Sequence, residues 1–175
     1  MTPAYKLPIS TLVVIYTATL EVLLLERADH PGFWQSVTGS QEEGETLHET
    51  AVREVFEETG LNAGVHSLRD WQIKNEYDIY PVWQHRYPPG TTHNTEHVFG
   101  LELPGMLAVQ LSPREHLSYI WLPWQEAAKK VFSPSNRQAI LQLPMRAEVH
   151  APSQALPPNT PFAKGGNSPL GKRGQ

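Results

Sequence analysis

Residues 39–61 read Gly39-Ser-Gln-Glu-Glu-Gly-Glu45-Thr-Leu-His-Glu-Thr-Ala-Val-Arg53-Glu54-Val-Phe-Glu57-Glu58-Thr-Gly60-Leu61, an acidic glycine-bearing loop that runs into a short amphipathic helix. Thr46 with Glu49 three residues on is a capping-box pair and sets the N-cap at Thr46. Gly60 suits the left-handed residue that ends a helix, with Leu61 folding back on the last turn. Between these ends Leu47, Ala51 and Val55 recur every fourth position and predict the buried stripe, supported by Val52 and Phe56. Glu54, Glu57 and Glu58 stand at i, i+3 and i+4 and project from one side. Like charges at these spacings destabilise a helix by about a few tenths of a kcal/mol per pair. An arbitrary acidic helix usually just presents a solvated face. Three stacked glutamates, with Glu45 in the preceding loop, are more simply explained by a cation, and oxygen-only ligands select a hard ion, Mg2+ or Mn2+.

Outward from this stretch the pattern alternates strands and turns. Ile9–Tyr16 is rich in β-branched residues and predicts a buried strand. Residues 18–21 turn the chain, and Val22–Arg27 returns as its partner. Phe33–Thr38 predicts a short strand that delivers the chain to Gly39. Further strands are expected over Leu68–Ile73, Val82–Tyr87, Thr95–Leu103 and Ser118–Leu122, and a short helix over Trp124–Phe132. Ser133-Pro134 reads as an N-cap followed by proline at the first helical position, opening a helix to about Leu143. One early helix, a run of strands and late helices predict an α/β arrangement with helices on both faces of a mixed sheet.

Composition narrows the function. The 175 residues carry a net charge of −4, but the last 26, from His150, contain three cations and no acid, so the remainder carries −7. That balance argues against nucleic acid as a partner. No cysteine is present, which excludes thiolate catalysis and zinc–sulfur sites. The early apolar run is interrupted by Glu21 and is too short to span a membrane or to read as a signal peptide, so a cytoplasmic protein without a membrane partner is expected. No protein partner is evident. Five of the sixteen prolines and four of the twelve glycines fall in residues 150–175. Residues 1–147 are therefore read as one domain, and 148–175 as a disordered tail without a catalytic role.

The stretch from Gly39 also resembles, position for position, the box that defines the Nudix hydrolases. The matching residues are Gly39, Glu45, Arg53, Glu54, Val55, Glu57, Glu58, Gly60 and Leu61. Enzymes of this family cleave a nucleoside diphosphate linked to another group through attack of water on phosphorus, on a mixed sheet sandwiched between helices (α/β/α). The flanks are similar to one bacterial branch of the family, the dihydroneopterin triphosphate pyrophosphohydrolases of folate synthesis. That likeness rests on Tyr5-Lys6, residues 33–40, 85–90 and 94–96, 115–119 and 135–140, and covers roughly residues 5–143. Thr38-Gly39-Ser40 stands where many Nudix proteins have Pro-Gly-Gly, as in that branch, and His93 stands where arginine is expected.

The resemblance implies roles residue by residue. Glu54 and Glu58 are metal ligands, and Glu57 is either a further ligand or the base. Arg53 orients the carboxylates, and Glu45 braces the loop. Glu115 reaches in as a ligand or base. Lys6 and Arg27 meet the triphosphate through charge-assisted hydrogen bonds, and Thr38 offers polar groups beside the glycine turn. Tyr77, Asp78, Ile79 and Tyr80 combine rings and a carboxylate, the inventory for stacking on a pterin and pairing with its amino-pyrimidine edge. Ser133 contributes at a helix N-terminus, where capping is its alternative role. The expected reaction is magnesium-dependent hydrolysis of dihydroneopterin triphosphate to the monophosphate and pyrophosphate. Hydrolysis of a purine triphosphate such as dATP or an oxidised purine nucleotide is the alternative, because pterin and purine share much of their edge. A non-catalytic ligand-binding module of this fold would be expected to have an eroded box, and this one is intact.

Overall fold

Alternate residues of the first strand enter different cores. In the computed structural model, which describes residues 4–150, β1 (Ile9–Thr17) lies at the centre of a mixed sheet. Leu12, Val14 and Tyr16 face one hydrophobic cluster, while Val13 and Ile15 face another. A strand buried on both faces reads as a continuous apolar run, which is why Ile9–Tyr16 was legible as one. The partners are β2 (Glu21–Arg27), β3 (Trp34–Gln35), β4 (Val37–Ser40), β5 (Ser67–Asp78), β6 (His93–Leu103) and β7 (His116–Pro123). Among the strands of the described residues only β1 and β6 pair in parallel; the other strand pairings are antiparallel.

Helix α1 (Leu47–Thr59) covers one face over Val13, Ile15, Leu23 and Phe99. Helices α2 (Trp124–Lys130), α3 (Pro134–Leu141) and α4 (Leu143–His150) supply the opposite layer, where Ala127, Ala139, Ile140 and Leu143 pack on Leu12, Val14 and Leu24. The arrangement is the expected α/β/α sandwich. Among the described residues no helix is long and apolar enough to cross a membrane.

Five local expectations are corrected. Residues 33–38 form two short strands broken at Ser36. Residues 82–87 are not a strand: Pro81–Arg86 forms a 3-10 turn whose proline presets the first helical dihedral. Strand β5 runs to Asp78 rather than ending at Ile73. The helix opened by Ser133 ends at Leu141, and α4 follows. Phe56 does not join the buried stripe of α1 but is exposed, because the sheet-facing side is taken by Ala51, Val55, Glu54 and Glu58. The backbone of α4 carries helix through 147 to His150, and residues 151–175 of the expected tail lie outside the described residues.

The break at Ser36 opens the space used by the site. Strand β1 pairs with β4 along Ser10–Val13 and with β2 only at Tyr16–Val22, so the sheet splits between β4 and the β2–β3–β7 ribbon. Asn136 of α3 holds the break. Its side-chain oxygen accepts from the Ser36 amide at 2.8 Å, its Nδ2 donates to the Ser36 hydroxyl at 2.9 Å, and both residues are buried. Asn136→Ala leaves a buried amide unpaired, and urea unfolding is expected to show a loss of about 2 kcal/mol. A change below about 0.5 kcal/mol would show that the pair does not brace the split.

Candidate active site

Helix α1 has the predicted ends. The Thr46 side chain accepts from the Glu49 amide, and Gly60 adopts φ +72°, a left-handed position that favours glycine. With about 100° of rotation per residue, Glu58 lies roughly 40° to one side of Glu54 and Glu57 roughly 60° to the other. That divides the three glutamates. Glu54 and Glu58 are buried beneath β4, whereas Glu57 is exposed and does not line the cavity.

The approach of α1 to β4 depends on Gly39, where an added Cβ would overlap the Glu54 carboxyl group. One strand residue earlier, the Thr38 amide donates to Glu58 Oε2 at 3.3 Å. Arg53 fastens the loop to the helix. It donates twice to Glu45 at 2.8 Å, to Glu54 at 2.8 Å, to Glu57 at 3.3 Å and to the Ser40 carbonyl at 2.9 Å. Glu45 in turn accepts from the Glu42 amide at 2.8 Å. Arg53 and Glu45 thus tie the loop to the helix, away from the cavity wall.

Burial and mutual repulsion act on the acids. Burial pushes the Glu54 carboxyl up to about 7, against the pull of Arg53. Glu58 is raised well above the ordinary carboxylate range, first by burial and then by Glu54 and Glu115. Glu115 enters from the loop before β7, where its carbonyl accepts from the Ala28 amide at 2.9 Å. Ligand atoms of Glu58, Glu115 and His116 lie within 4.8 Å of one another. Burial and the charge of Arg27 lower the His116 imidazole to about 4, and its Nδ1 has no hydrogen-bond partner. Desolvated carboxylates facing one another beside an unpartnered imidazole nitrogen fit a divalent cation.

These groups lie in the wall of a cavity of about 750 Å³ in the sheet split. Of the predicted residues it brings together Lys6, Arg27, Thr38, Glu54, Glu58, Tyr77, Asp78, Ile79, Tyr80, Glu115 and Ser133; Arg53 and Glu57 stay outside its wall. Arg27 is held by a bidentate pair with Asp29 at 2.7 and 2.8 Å, by Gln35 at 2.9 Å and by the Trp83 ring 4.6 Å away. The hydrogen bond from Arg27 holds Asp29 down to about 2. Burial and then the charge of Arg86 lower the Lys6 ammonium. Ser133 caps α3 by accepting from the Asn136 amide, and it also lines the cavity.

Several wall residues escape motif reading. Trp83 and Phe132 join Tyr80 in an aromatic cluster, with ring centroids 5.2 Å apart for Tyr80–Trp83 and 6.3 Å for Trp83–Phe132. Arg86 and Arg114 add charge. Arg86 lies in the 85–90 stretch that carries the family likeness, though without a role assigned to it there; for Trp83, Phe132 and Arg114 the sequence offered only an ordinary count of aromatics and cations. The carboxylate of Asp78 is 84% exposed and contacts His93 at 2.8 Å, so the expected edge-reading acid faces the rim.

The chain matches the model of the NUDIX domain over residues 6–143 and belongs to the Nudix family. It is similar to the dihydroneopterin triphosphate diphosphatase of Escherichia coli (strain K12), 48% identical over 146 residues that span 82% of this chain and 96% of that protein. The protein of the same description from Haemophilus influenzae is 42% identical over 139 residues, covering 78% of this chain and 87% of the relative. The solved structure of the E. coli dihydroneopterin triphosphate pyrophosphohydrolase aligns with a TM-score of 0.76 at 48% identity, over 82% of this chain and 99% of that one. Nudix hydrolases generally use divalent metal ions, and the acidic cluster fits that requirement.

A pH dependence follows. With metal chelated, Glu54 and Glu58 bind protons more tightly in the folded than in the unfolded chain, so their contribution is complete below the unfolded value near 4.3 and is lost as pH rises through the folded values. His116, lowered by folding, acts oppositely below about pH 6.5 and is neutral in both states above it. Between pH 6.5 and 8 the melting temperature in chelator is therefore expected to fall, and the gain on adding excess Mg2+ to widen. A gain independent of pH across that window would contradict metal binding by these carboxylates.

Proposed function

We propose that this protein hydrolyses dihydroneopterin triphosphate to dihydroneopterin monophosphate and pyrophosphate, with magnesium as the cofactor. The observation that carries the reading is the joining, in one cavity, of buried facing carboxylates, a cationic rim and an aromatic wall. Identity of 48% across nearly the whole length of the E. coli enzyme supports the same substrate.

Glu54, Glu58 and Glu115 would hold the divalent cation. When bound, it supplies positive charge that neutralises phosphate oxygens and makes phosphorus open to attack by water. Lys6 and Arg27 bind the phosphate chain, aided by Arg86 and Arg114 at the same wall, each exchanging lost hydration for charge-assisted hydrogen bonds. The lowered Lys6 ammonium remains a donor in either protonation state. Arg53 keeps Glu54 and the loop in register without touching substrate. Glu57 is turned outward onto Arg53, so of the two Glu115, exposed at the cavity, is the better placed to take the water's proton, through whichever carboxylate oxygen the cation leaves free. Thr38 and Ser133 add polar contacts, and Tyr80, Trp83 and Phe132 form the flat surface for a heterocycle.

A purine triphosphate is the second reading, favoured by the same aromatic wall, since any flat heterocycle stacks there. The stretch 148–175 takes no part in this chemistry. Glu58→Gln is expected to lower kcat by about a thousandfold or more while circular dichroism stays native, the scale of losing an electrostatic partner made in the transition state. Wild-type turnover in that variant would remove Glu58 from the site. For the substrate, pyrophosphate release should be faster, in kcat/KM, from dihydroneopterin triphosphate than from any common nucleoside triphosphate. Higher values for a nucleoside triphosphate would overturn the pterin assignment.

A further inference from the structure

The cations of the cavity wall come from different parts of the chain, and two of them meet at one acid. Arg27 ends β2, Arg86 ends the 3-10 turn, and Lys6 precedes β1. The Lys6 amide donates to the Arg86 carbonyl at 2.8 Å, which ties two of these segments together. Like charges gathered in this way repel: after burial, the charges of Arg86 and Arg27 both lower the Lys6 ammonium. Among the described residues, Asp29 is the only carboxylate that pairs with a cation of this wall, and it pairs with both arginines.

A surface ion pair contributes little to stability, and an acid beside bound phosphate weakens binding through its charge. The geometry gives Asp29 another use. It meets Arg27 in bidentate fashion, through Nε at 2.8 Å and Nη2 at 2.7 Å, while Gln35 takes one Nη1 hydrogen at 2.9 Å. Three of the five N–H groups of the guanidinium are then engaged, and one is left on each terminal nitrogen. The Trp83 ring covers one face of the group at 4.6 Å. Asp29 Oδ2 also accepts from Arg86 Nη2 at 3.3 Å, so one oxygen sits between two guanidiniums. The loop that carries Asp29 is itself anchored. The Arg27 amide donates to the Phe33 carbonyl at 2.9 Å, and the Gly32 amide to Glu26 Oε2 at 3.0 Å.

We propose that Asp29 is a positioning residue of the phosphate site: it locks Arg27 and spaces Arg86 so that both guanidiniums meet a polyphosphate already in place. An arginine free to turn gives up rotamer freedom when it binds phosphate, whereas a locked one has given it up on folding. The carboxylate also offsets the repulsion between the two guanidiniums in the free protein. Phosphate oxygens then take the N–H groups that Asp29 and Gln35 leave on Nη1 and Nη2 of Arg27. Asp29 touches no phosphate itself and acts only through the arginines. This role rests on the reading of the cavity as a polyphosphate site, and it is indifferent to the ring that the phosphates carry.

The test measures pyrophosphate binding by calorimetry with Mg2+, and kcat and KM on dihydroneopterin triphosphate. It compares the wild type, Asp29→Asn, Arg27→Ala and the double variant. Asp29→Asn removes a negative charge, so attraction alone would tighten pyrophosphate binding. Positioning predicts the opposite, a loss of about tenfold, the scale of immobilising one or two long side chains. KM should rise by a similar factor with kcat within about threefold of wild type, as for a contact of equal strength in ground and transition states. In the Arg27→Ala background the same substitution should cost under about threefold, because most of its route is gone. Unchanged or tighter pyrophosphate binding in folded Asp29→Asn, a fall in kcat at constant KM, or losses that simply multiply in the double variant overturns the proposal. If Asp29→Asn does not fold, Arg27→Lys carries the test, since it keeps the charge but cannot pair in bidentate fashion. A loss of about tenfold in pyrophosphate affinity there supports the proposal, and wild-type affinity overturns it. Absence of pyrophosphate binding by the wild type overturns the polyphosphate reading together with this proposal. A wild type that binds pyrophosphate in the way described, yet turns over a nucleoside triphosphate faster than dihydroneopterin triphosphate, rejects the pterin substrate and leaves the role of Asp29 standing.

Discussion

Two carboxylates buried beneath a strand, with one arginine to offset them, set the terms for the rest of this structure. Glu54 and Glu58 are desolvated and repel each other and Glu115, so the folded chain holds them at a cost. Arg53 relieves part of it, bound to Glu54 on one side and to Glu45 on the other. Surrounding features follow from keeping this geometry. Gly39 lets the strand pass over the Glu54 carboxyl, and the break at Ser36 keeps β4 apart from the β2–β3–β7 ribbon. Asn136 pins that break from the opposite helical layer. Desolvated acids held in this way fit a divalent cation, the kind of ion that Nudix hydrolases generally use.

The division of labour between the two sheet faces follows from strand periodicity. Odd residues of β1 pack against α1 and stabilise the helix that carries the acids. Even residues belong to the other face, where Leu12, Val14 and Tyr16 build the second core and Ser10 opens onto the cavity. The same alternation in β6 has Val98 in that core while Asn94 and Glu96 line the cavity. The cavity is thus the polar end of a core layer, and a change of polarity along one strand face marks its boundary.

Much of this was legible in the residues, for identifiable reasons. The helix ends were readable because capping depends on local chemistry at Thr46, Glu49 and Gly60. Strands β1 and β2 were readable because both faces are buried. That Glu57 stands outside the cavity wall was not legible, because spacing says that three residues share a side but not which of them the neighbouring strand covers. Phe56 failed for the matching reason, since two glutamates occupy the buried width that an apolar stripe would fill. Residues 82–87 include Val82, Trp83 and Tyr87, residue types common in strands, yet Pro81 opens a 3-10 turn there, and Trp83 became part of the cavity wall. Glu96 stands in the 94–96 stretch that carries the family likeness, but its place in the cavity wall depends on β1 and β6 pairing in parallel across a long stretch of intervening chain, which no local pattern reports.

The central claim is that Glu54, Glu58 and Glu115 converge on a divalent cation. Anomalous diffraction from crystals grown with Mn2+ tests it most directly. A strong peak bounded by these three carboxylates, in the octahedral all-oxygen surroundings that suit such an ion, is the predicted result. Manganese bound at Glu57 and the outer face of α1, with no peak in the cavity, would contradict it.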